Sequence, residues 1–148
     1  MKALIFLAVM VIAALVVFPL LFGPGVAVPS EVFPGNPFLL EVKLSNENIT
    51  PLTDVEYTCQ AVDVELASGV QVKDAKVLNQ GRIRKFQGRR AISARCETAY
   101  LIDAPLKKLE FKLSLKYRAY PWPVDQTREY RFAATIDGQG RLTGWVQK

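Results

Sequence analysis

The chain has 148 residues, a formal net charge of +5 and no histidine. A charge excess this small does not indicate nucleic-acid binding. Without histidine, neither a Ser-His-Asp nor a Cys-His catalytic arrangement can be assembled, and the usual histidine-containing zinc sites are excluded. A glycine-rich phosphate-binding loop is also absent from the sequence. We therefore expect no catalytic residue, no metal ion and no cofactor.

An uncharged apolar run covers residues 3–22. Twenty residues at 1.5 Å per residue make a helix of about 30 Å, which is the thickness of the hydrocarbon core of a bilayer. This run predicts a transmembrane anchor over residues 1–22. The alternative is a secretory signal peptide cleaved after residues 25–27. The apolar run is longer than the apolar run of most signal peptides, however, and Pro24 directly before the cleavage motif disfavours cleavage there.

Basic residues that flank an apolar run predict its orientation in the membrane. Lys2 precedes the run, whereas the first Lys or Arg after it is Lys43. The prediction is a single-pass protein of the cytoplasmic membrane, with its N-terminus in the cytoplasm and the rest exported to the periplasm or the cell exterior. Because Lys2 accounts for one of the five positive charges, the exported part carries +4.

Two cysteines, Cys59 and Cys96, lie in the exported part. An even number of cysteines in an exported domain predicts a disulfide, which we expect to join these two residues. Two buried free thiols are the alternative. A redox-active pair is not indicated, because the sequence has neither a Cys-x-x-Cys spacing nor a histidine to activate a thiolate.

Proline and glycine are concentrated in residues 23–37. This composition disfavours a helix and predicts an extended spacer between the anchor and the folded domain. The remaining residues, 38–148, are sufficient for one domain with its own hydrophobic core.

The domain shows the two-residue period of half-buried β-strands. Apolar and polar side chains alternate most clearly in residues 109–117, and the other predicted strands lie at residues 38–44, 55–61, 70–77, 92–96, 130–136 and 141–146. Residues 137–140, Asp-Gly-Gln-Gly, predict a tight hairpin between the last two strands. About seven short antiparallel strands predict an all-β, immunoglobulin-like sandwich preceded by one N-terminal transmembrane helix.

Four short motifs carry a resemblance to a group of proteins. They are residues 51–59 (Pro-Leu-Thr-Asp-Val-Glu-Tyr-Thr-Cys), residues 120–123 (Tyr-Pro-Trp-Pro), residues 130–132 (Tyr-Arg-Phe) and Gly144-Trp145. In these motifs the chain resembles uncharacterised bacterial membrane-anchored β-sandwich proteins of immunoglobulin-like type. The resemblance implies an exported single-domain β-protein of unknown activity, and it assigns no functional residue.

A basic stretch at residues 82–90 is the first predicted interaction site. Its cations are Arg82, Arg84, Lys85, Arg89 and Arg90. We expect them on an exposed loop or edge, where they contact anionic lipid headgroups or an acidic partner surface. The alternative is a solvated hairpin whose cations keep an edge strand from pairing with other chains.

An aromatic, proline-rich corner that contains Tyr120 and Trp122 is the second predicted interaction site. Exposed rings at this corner would form a docking surface for a protein partner. In the alternative, the rings fold back and cover the open end of the sandwich.

Together, the anchor, the spacer and the β-domain predict a non-enzymatic binding or assembly module, tethered outside the cytoplasmic membrane by residues 3–22. We expect it to act through contact with a protein partner and to bind no nucleic acid. The alternative is an enzyme, for example one acting on glycans, that uses a pair of carboxylates on the rim of the sandwich. Acidic residues near predicted strand ends are Asp54, Glu56, Asp63, Glu65 and Asp103.

Overall fold

The computed structural model describes residues 2–21, 23–33, 36–97, 104–120 and 124–148, apart from the side chains of residues 2–3, 15–21 and 76–78. The elements in these ranges are α1 (Lys2–Leu21), β1 (Gly25–Ala27), β2 (Leu39–Asn46), β3 (Leu52–Leu66), β4 (Gln71–Phe86), β5 (Arg90–Glu97), β6 (Leu106–Ala119), β7 (Gln126–Ile136) and β8 (Leu142–Gln147). The strands form two antiparallel sheets, so the predicted all-β sandwich is confirmed.

The N-terminal helix α1 has exposed side chains at residues 4–14, the part of it where side chains are described. Among the described residues, no helix combines the length and the apolar character needed to cross a membrane. The transmembrane anchor predicted over residues 1–22 therefore finds no support in this part of the chain and stays a prediction.

The smaller sheet has the strand order β1-β2-β5, and the larger sheet has the order β4-β3-β6-β7-β8. The described residues thus contain one strand more than the seven predicted, because Gly25–Ala27 pairs with β2 although it lies in the predicted spacer. Prolines flank this short strand, and an edge strand accommodates them because its outer side needs no hydrogen-bond donor. Part of the segment predicted as a spacer is therefore a strand of the sandwich.

The hydrophobic core lies between the two sheets and is built from alternate residues of the strands. The residues of β6 that face it are Leu106, Leu109, Phe111, Leu113, Leu115, Tyr117 and Ala119. Opposite them, β2 buries Leu40, Val42 and Leu44 completely, while Lys43 is exposed. Burying one such side chain stabilises the fold by about 1.5–3 kcal/mol, so the alternation decides which face of each strand points inward.

A disulfide joins Cys59 on β3 to Cys96 on β5, with their Cα atoms 5.7 Å apart. These two strands belong to different sheets, so the bond crosses the core and links the larger sheet to the smaller one. The predicted disulfide is confirmed, and the alternative of two free thiols is wrong.

One end of the sandwich, which we call the proximal end, is formed by residues 47–51, 87–89, 120 and 124–125. Strand pairing brings these loops together, because Leu52 pairs with both Phe86 and Ala119, and Asn46 pairs with Arg90. The opposite end, the distal end, contains the turns at residues 67–70 and 137–141.

Candidate functional site

The N-terminal segment joins the sandwich at the proximal end. The hydroxyl of Tyr130 donates a hydrogen bond of 2.9 Å to the carbonyl oxygen of Pro24. Gly23 lies so close to Arg128 that a Cβ atom on this glycine would be 2.3 Å from the guanidinium carbon. From Gly23 onward, the chain is therefore held against the larger sheet on one side and paired with β2 on the other.

Asn46, the last residue of β2, is fully buried and connects the loops of the proximal end. Its side-chain nitrogen donates to the carbonyl oxygens of Thr50 and Phe86, both at 3.0 Å, and of Gln87 at 3.3 Å. Its Oδ1 accepts hydrogen bonds from the backbone and side-chain nitrogens of Asn48. This one side chain thus pairs polar backbone groups of two different loops, as buried polar groups require.

Gly88 lets the β4–β5 turn lie directly against the β2–β3 connection. A Cβ atom at this position would be 2.3 Å from the carbonyl oxygen of Ile49 and 2.5 Å from that of Asn48. The next residue, Arg89, donates its backbone N–H to the Asn48 carbonyl at 3.1 Å and has a left-handed φ of 54°. The close contact between the two loops places Ile49 beside the cations of the turn.

The five predicted cations divide into one that is paired and four that are not. Arg82 contacts Asp54 at 2.8 Å and Glu56 at 3.5 Å on the outer face of the larger sheet. Within the described part of the chain, the others form no ion pair and are exposed, and they lie at or next to the proximal end: Arg84, Lys85, Arg89 and Arg90. We call these four residues the basic cluster.

Acidic residues at the proximal end do not cancel the basic cluster. Asp125 is already paired, with Lys116 at 2.8 Å and Arg118 at 2.5 Å, and these two cations lower its pKa. Glu47 is exposed and is the other carboxylate that the structure describes in these loops. Four unpaired cations against one unpaired carboxylate leave this end with a local excess of positive charge.

Exposed apolar side chains lie at the tips of two of the same loops. The exposed fraction is 79% for Ile49, 66% for Tyr120 and 58% for Val124. Tyr120 therefore does not fold back over the open end of the sandwich, which was the alternative for this ring. Trp122, predicted to belong to the same aromatic corner, lies outside the described residues. The proximal end thus combines apolar tips with cations.

The carboxylates considered for an enzyme are held by cations. Asp54 contacts Arg118 at 3.3 Å in addition to Arg82, and it has a left-handed φ of 48°. Lys108 lies 2.6 Å from Asp63, and this hydrogen bond lowers the pKa of the Asp63 carboxyl. A general acid in glycoside hydrolysis instead needs a raised pKa.

The other acidic residues considered for an enzyme do not supply a pair of catalytic carboxylates either. Glu65 contacts Lys107 at 2.5 Å, and Asp103 lies outside the described residues. One open depression of ≈ 340 Å³ contains Glu56 as its single carboxylate, and another of ≈ 400 Å³ contains Asp137. Neither depression in the described part offers the two facing carboxylates that the mechanism needs. The described residues also hold no group of His, Cys, Asp and Glu side chains suited to bind a metal ion.

Asn46 was not among the site residues predicted from the sequence, although the alternation along β2 contains a signal for it. Asn46 continues the inward-facing series Leu40, Val42 and Leu44 along β2. A polar residue in an inward position needs buried hydrogen-bond partners, and this requirement marks it as a connector of loops.

Comparison with known proteins identifies no family for this chain. No protein-family model matches it, and no curated protein sequence matches it significantly. The resemblance to membrane-anchored immunoglobulin-like proteins stays a prediction.

Proposed function

We propose that this chain is a membrane-tethered, non-enzymatic binding module that acts outside the cytoplasmic membrane. In this proposal the sandwich rests with its proximal end on the anionic lipid surface and contacts a protein partner with its remaining surface. One observation carries the proposal: the basic cluster and three exposed apolar side chains lie at the end where the N-terminal segment joins the sandwich.

The tether in this proposal is the uncharged run at residues 3–22. Three residues separate Leu21, the end of α1, from Gly25, the start of β1. The four Cα-to-Cα steps from Leu21 to Gly25, at about 3.5 Å each, span at most about 14 Å. With the run in a bilayer, the proximal end lies close to the headgroups, at a distance comparable with the Debye length of about 8 Å at physiological salt.

Two kinds of contact hold the proximal end against lipid. A cation near an anionic membrane surface contributes about 1 kcal/mol, so a local excess of three positive charges contributes about 3 kcal/mol. Ile49, Tyr120 and Val124 add apolar contact with the interfacial region, where aromatic rings are favoured because they are amphipathic. The electrostatic part decreases with salt, and the apolar part does not.

The strand order supports an immunoglobulin-like architecture as part of this proposal. In a constant-type immunoglobulin domain, the first, second, fifth and fourth strands form one sheet, and the third, sixth and seventh form the other. In this chain β4 lies beside β3 instead, and β8 extends the larger sheet. The disulfide links the two sheets as in immunoglobulin domains, but through β3 and β5 rather than the second and sixth strands.

Co-sedimentation of a fragment comprising residues 23–148 with lipid vesicles tests the proposal. This fragment retains the whole described core and the disulfide, because no residue of α1 belongs to either. We expect binding to vesicles that contain phosphatidylglycerol, little binding to phosphatidylcholine vesicles, and a steep decrease in binding when salt is added.

Charge-matched variants locate the binding surface. Replacing Arg84, Lys85, Arg89 and Arg90 with glutamine should weaken binding to anionic vesicles by about 100-fold or more, since each cation contributes about 1 kcal/mol. The control replaces the same number of exposed cations elsewhere with glutamine: Lys43, Lys73, Arg95 and Arg131. An equal loss of vesicle affinity in both variants would show that binding depends on net charge alone, and it would contradict the proposed surface.

A further inference from the structure

The three residues of β1 are also the small-x-small motif at which a signal peptidase would cleave the chain. Gly25 and Ala27 are the small residues, Val26 lies between them, and the motif closely follows the apolar run. In the structure Gly25 pairs with Ser45 and Ala27 pairs with Lys43 on β2. Recognition of an extended segment by a protein uses the backbone groups and alternate side chains of that segment. These residues therefore cannot be a strand of the sandwich and the substrate of a peptidase at the same time.

Packing holds the motif against the sandwich. The Val26 side chain is partly buried and packs against the hydrophobic core. Gly25 lies so close to β2 that a Cβ atom on it would be 2.6 Å from the Oγ atom of Ser45. Ala27 is exposed, but its backbone is part of the strand pair. A peptidase therefore has to wait until β1 leaves β2, because proteases cleave folded chains through transiently open states.

The chain is also held on both sides of the motif. On the N-terminal side Pro24 is buried, and its carbonyl oxygen accepts the 2.9 Å hydrogen bond from the hydroxyl of Tyr130. On the C-terminal side Pro29 is buried. The peptide bond between Ala27 and Val28 thus lies between two fixed residues, and it becomes accessible only when the contacts of β1 open.

We propose that the sandwich protects its own tether: a membrane peptidase selective for small residues hydrolyses the bond between Ala27 and Val28 only in chains whose β1 is detached. When this bond breaks, water supplies the hydroxyl that the carbonyl carbon of Ala27 gains and the proton that the nitrogen of Val28 gains. A folded chain keeps residues 3–22, whereas an unfolded chain loses them and is released from the membrane. The inference rests on the tether of the proposed function and adds its regulation.

The order of the strands lets this protection begin early. The partner of the motif is β2, the next strand in the sequence. Contacts between elements that are near in sequence form faster than contacts between distant ones. Pro24 disfavours cleavage of the motif before it is paired, and the pairing of β1 with β2 prevents cleavage afterwards.

The test measures how fast a purified bacterial signal peptidase cleaves the folded full-length protein in detergent micelles. Mass spectrometry records the appearance of a new N-terminus at Val28. The reference substrate is a synthetic peptide of residues 2–33 in the same micelles, which contains the motif without β2. We expect the peptide to be cleaved about 100-fold faster or more than the folded protein, because cleavage of the latter requires local opening.

Two substitutions that keep both small residues test the contact with the core. Val26→Asn replaces the apolar side chain that packs against the core, so cleavage of the full-length protein should become about tenfold faster. Val28→Asn is the matched control, because Val28 is 43% exposed, and it should leave the rate unchanged. Both changes are also made in the peptide, so that an effect on recognition by the peptidase is measured separately.

A third substitution lies outside the motif. Tyr130→Phe removes the hydrogen bond to the carbonyl oxygen of Pro24 and leaves the sequence around the cleaved bond unchanged. Cleavage of the full-length protein should become about fivefold faster, which is the effect of one hydrogen bond. This variant keeps the test decisive if Val26→Asn does not fold.

The inference is wrong if the peptide resists the peptidase, because the motif is then no substrate even without the fold. It is also wrong if the folded protein is cleaved as fast as the peptide, or if neither Val26→Asn nor Tyr130→Phe accelerates cleavage of the full-length protein. None of these results concerns vesicle binding by residues 23–148, so the failure of this inference is distinguishable from the failure of the proposed membrane contact.

Discussion

Gly25 pairs with Ser45, and this pairing places the start of the sandwich directly beside Asn46 and the loops that Asn46 connects. The N-terminal segment, the basic cluster and the apolar tips therefore share one end of the molecule. Each of these features is visible in the sequence, but they are far apart along it. Their proximity is what distinguishes a surface suited to a membrane from scattered exposed residues.

The hydrogen bonds of Asn46 give the first prediction. Asn46→Ala leaves the carbonyl oxygens of Thr50 and Phe86 without their donor, and unpaired buried groups of this kind cost about 1–3 kcal/mol. Urea unfolding of the 23–148 fragment should show that the free energy of unfolding falls by an amount in this range. Asn79→Ala is the control, because Asn79 makes a single exposed bond to a carbonyl, and its loss should be within about 0.5 kcal/mol. Equal losses would show that Asn46 does not hold the loops together.

The second prediction concerns the contact between the β4–β5 turn and the β2–β3 connection. Gly88→Ala places a Cβ atom against two backbone oxygens that cannot move without shifting a loop, so we expect destabilisation of about 1–3 kcal/mol. Because the shift moves Ile49 away from the basic cluster, binding to anionic vesicles should also weaken. Gly138→Ala is the matched control, since a Cβ atom there meets nothing within 4 Å. A Gly88 variant as stable as the Gly138 variant would contradict the loop contact.

The disulfide provides the third prediction. Cys59 and Cys96 are 37 positions apart, and closing a loop of this length stabilises a fold by about 4 kcal/mol on the chain-entropy model. Replacing both cysteines with alanine should lower the free energy of unfolding by about this amount, measured by urea unfolding without reductant. If the double variant unfolds at the same urea concentration as the unmodified fragment, the bond does not stabilise the link between the two sheets.

The fourth prediction is a loss of stability in acid. A hydrogen bond from Lys148 lowers the pKa of Glu110 below its usual 4.5, and Lys108 adds to this effect. Because the folded-state pKa is below the unfolded-state value, the contribution of Glu110 is complete above pH 4.5 and is lost as the pH falls through the folded-state pKa. Asp63 and Asp125, whose pKa values are also lowered by lysine hydrogen bonds, act in the same direction.

Urea unfolding from neutral to acidic pH measures this dependence. The midpoint should fall in acid for the unmodified fragment and fall less for Glu110→Gln, which has no proton to gain. If the urea midpoint of Glu110→Gln depends on pH as that of the unmodified fragment does, Glu110 does not contribute to the loss of stability in acid.

The sequence predicted those parts of the fold that depend on local alternation. The apolar residues of β6, from Leu109 to Tyr117, face the core as their two-residue period requires, and both cysteines lie inward. β1 was not predicted, because a proline-rich segment has the same composition whether it is a free spacer or an edge strand. Its pairing with β2 depends on residues about twenty positions away.

The candidate site was only partly predictable for a related reason. The basic stretch was visible, but the division into a paired Arg82 and an unpaired cluster depends on Asp54 from the neighbouring strand. Local sequence does not show which carboxylate lies across a sheet. In the same way, the role of Asn46 depends on its hydrogen bond to Phe86, forty positions later. The one local signal was that Asn46 occupies an inward-facing position in the alternation of β2.

Hydrogen–deuterium exchange of the full-length protein in lipid nanodiscs tests the central claim most directly. Backbone amides at residues 47–50 and 87–90 should exchange more slowly in nanodiscs containing phosphatidylglycerol than in those containing only phosphatidylcholine. Amides of the distal turns, at residues 67–70 and 137–141, should exchange equally in both and serve as the internal control. Equal exchange at the proximal end in the two lipids, or protection of the distal turns instead, would contradict the claim that the proximal end rests on an anionic membrane.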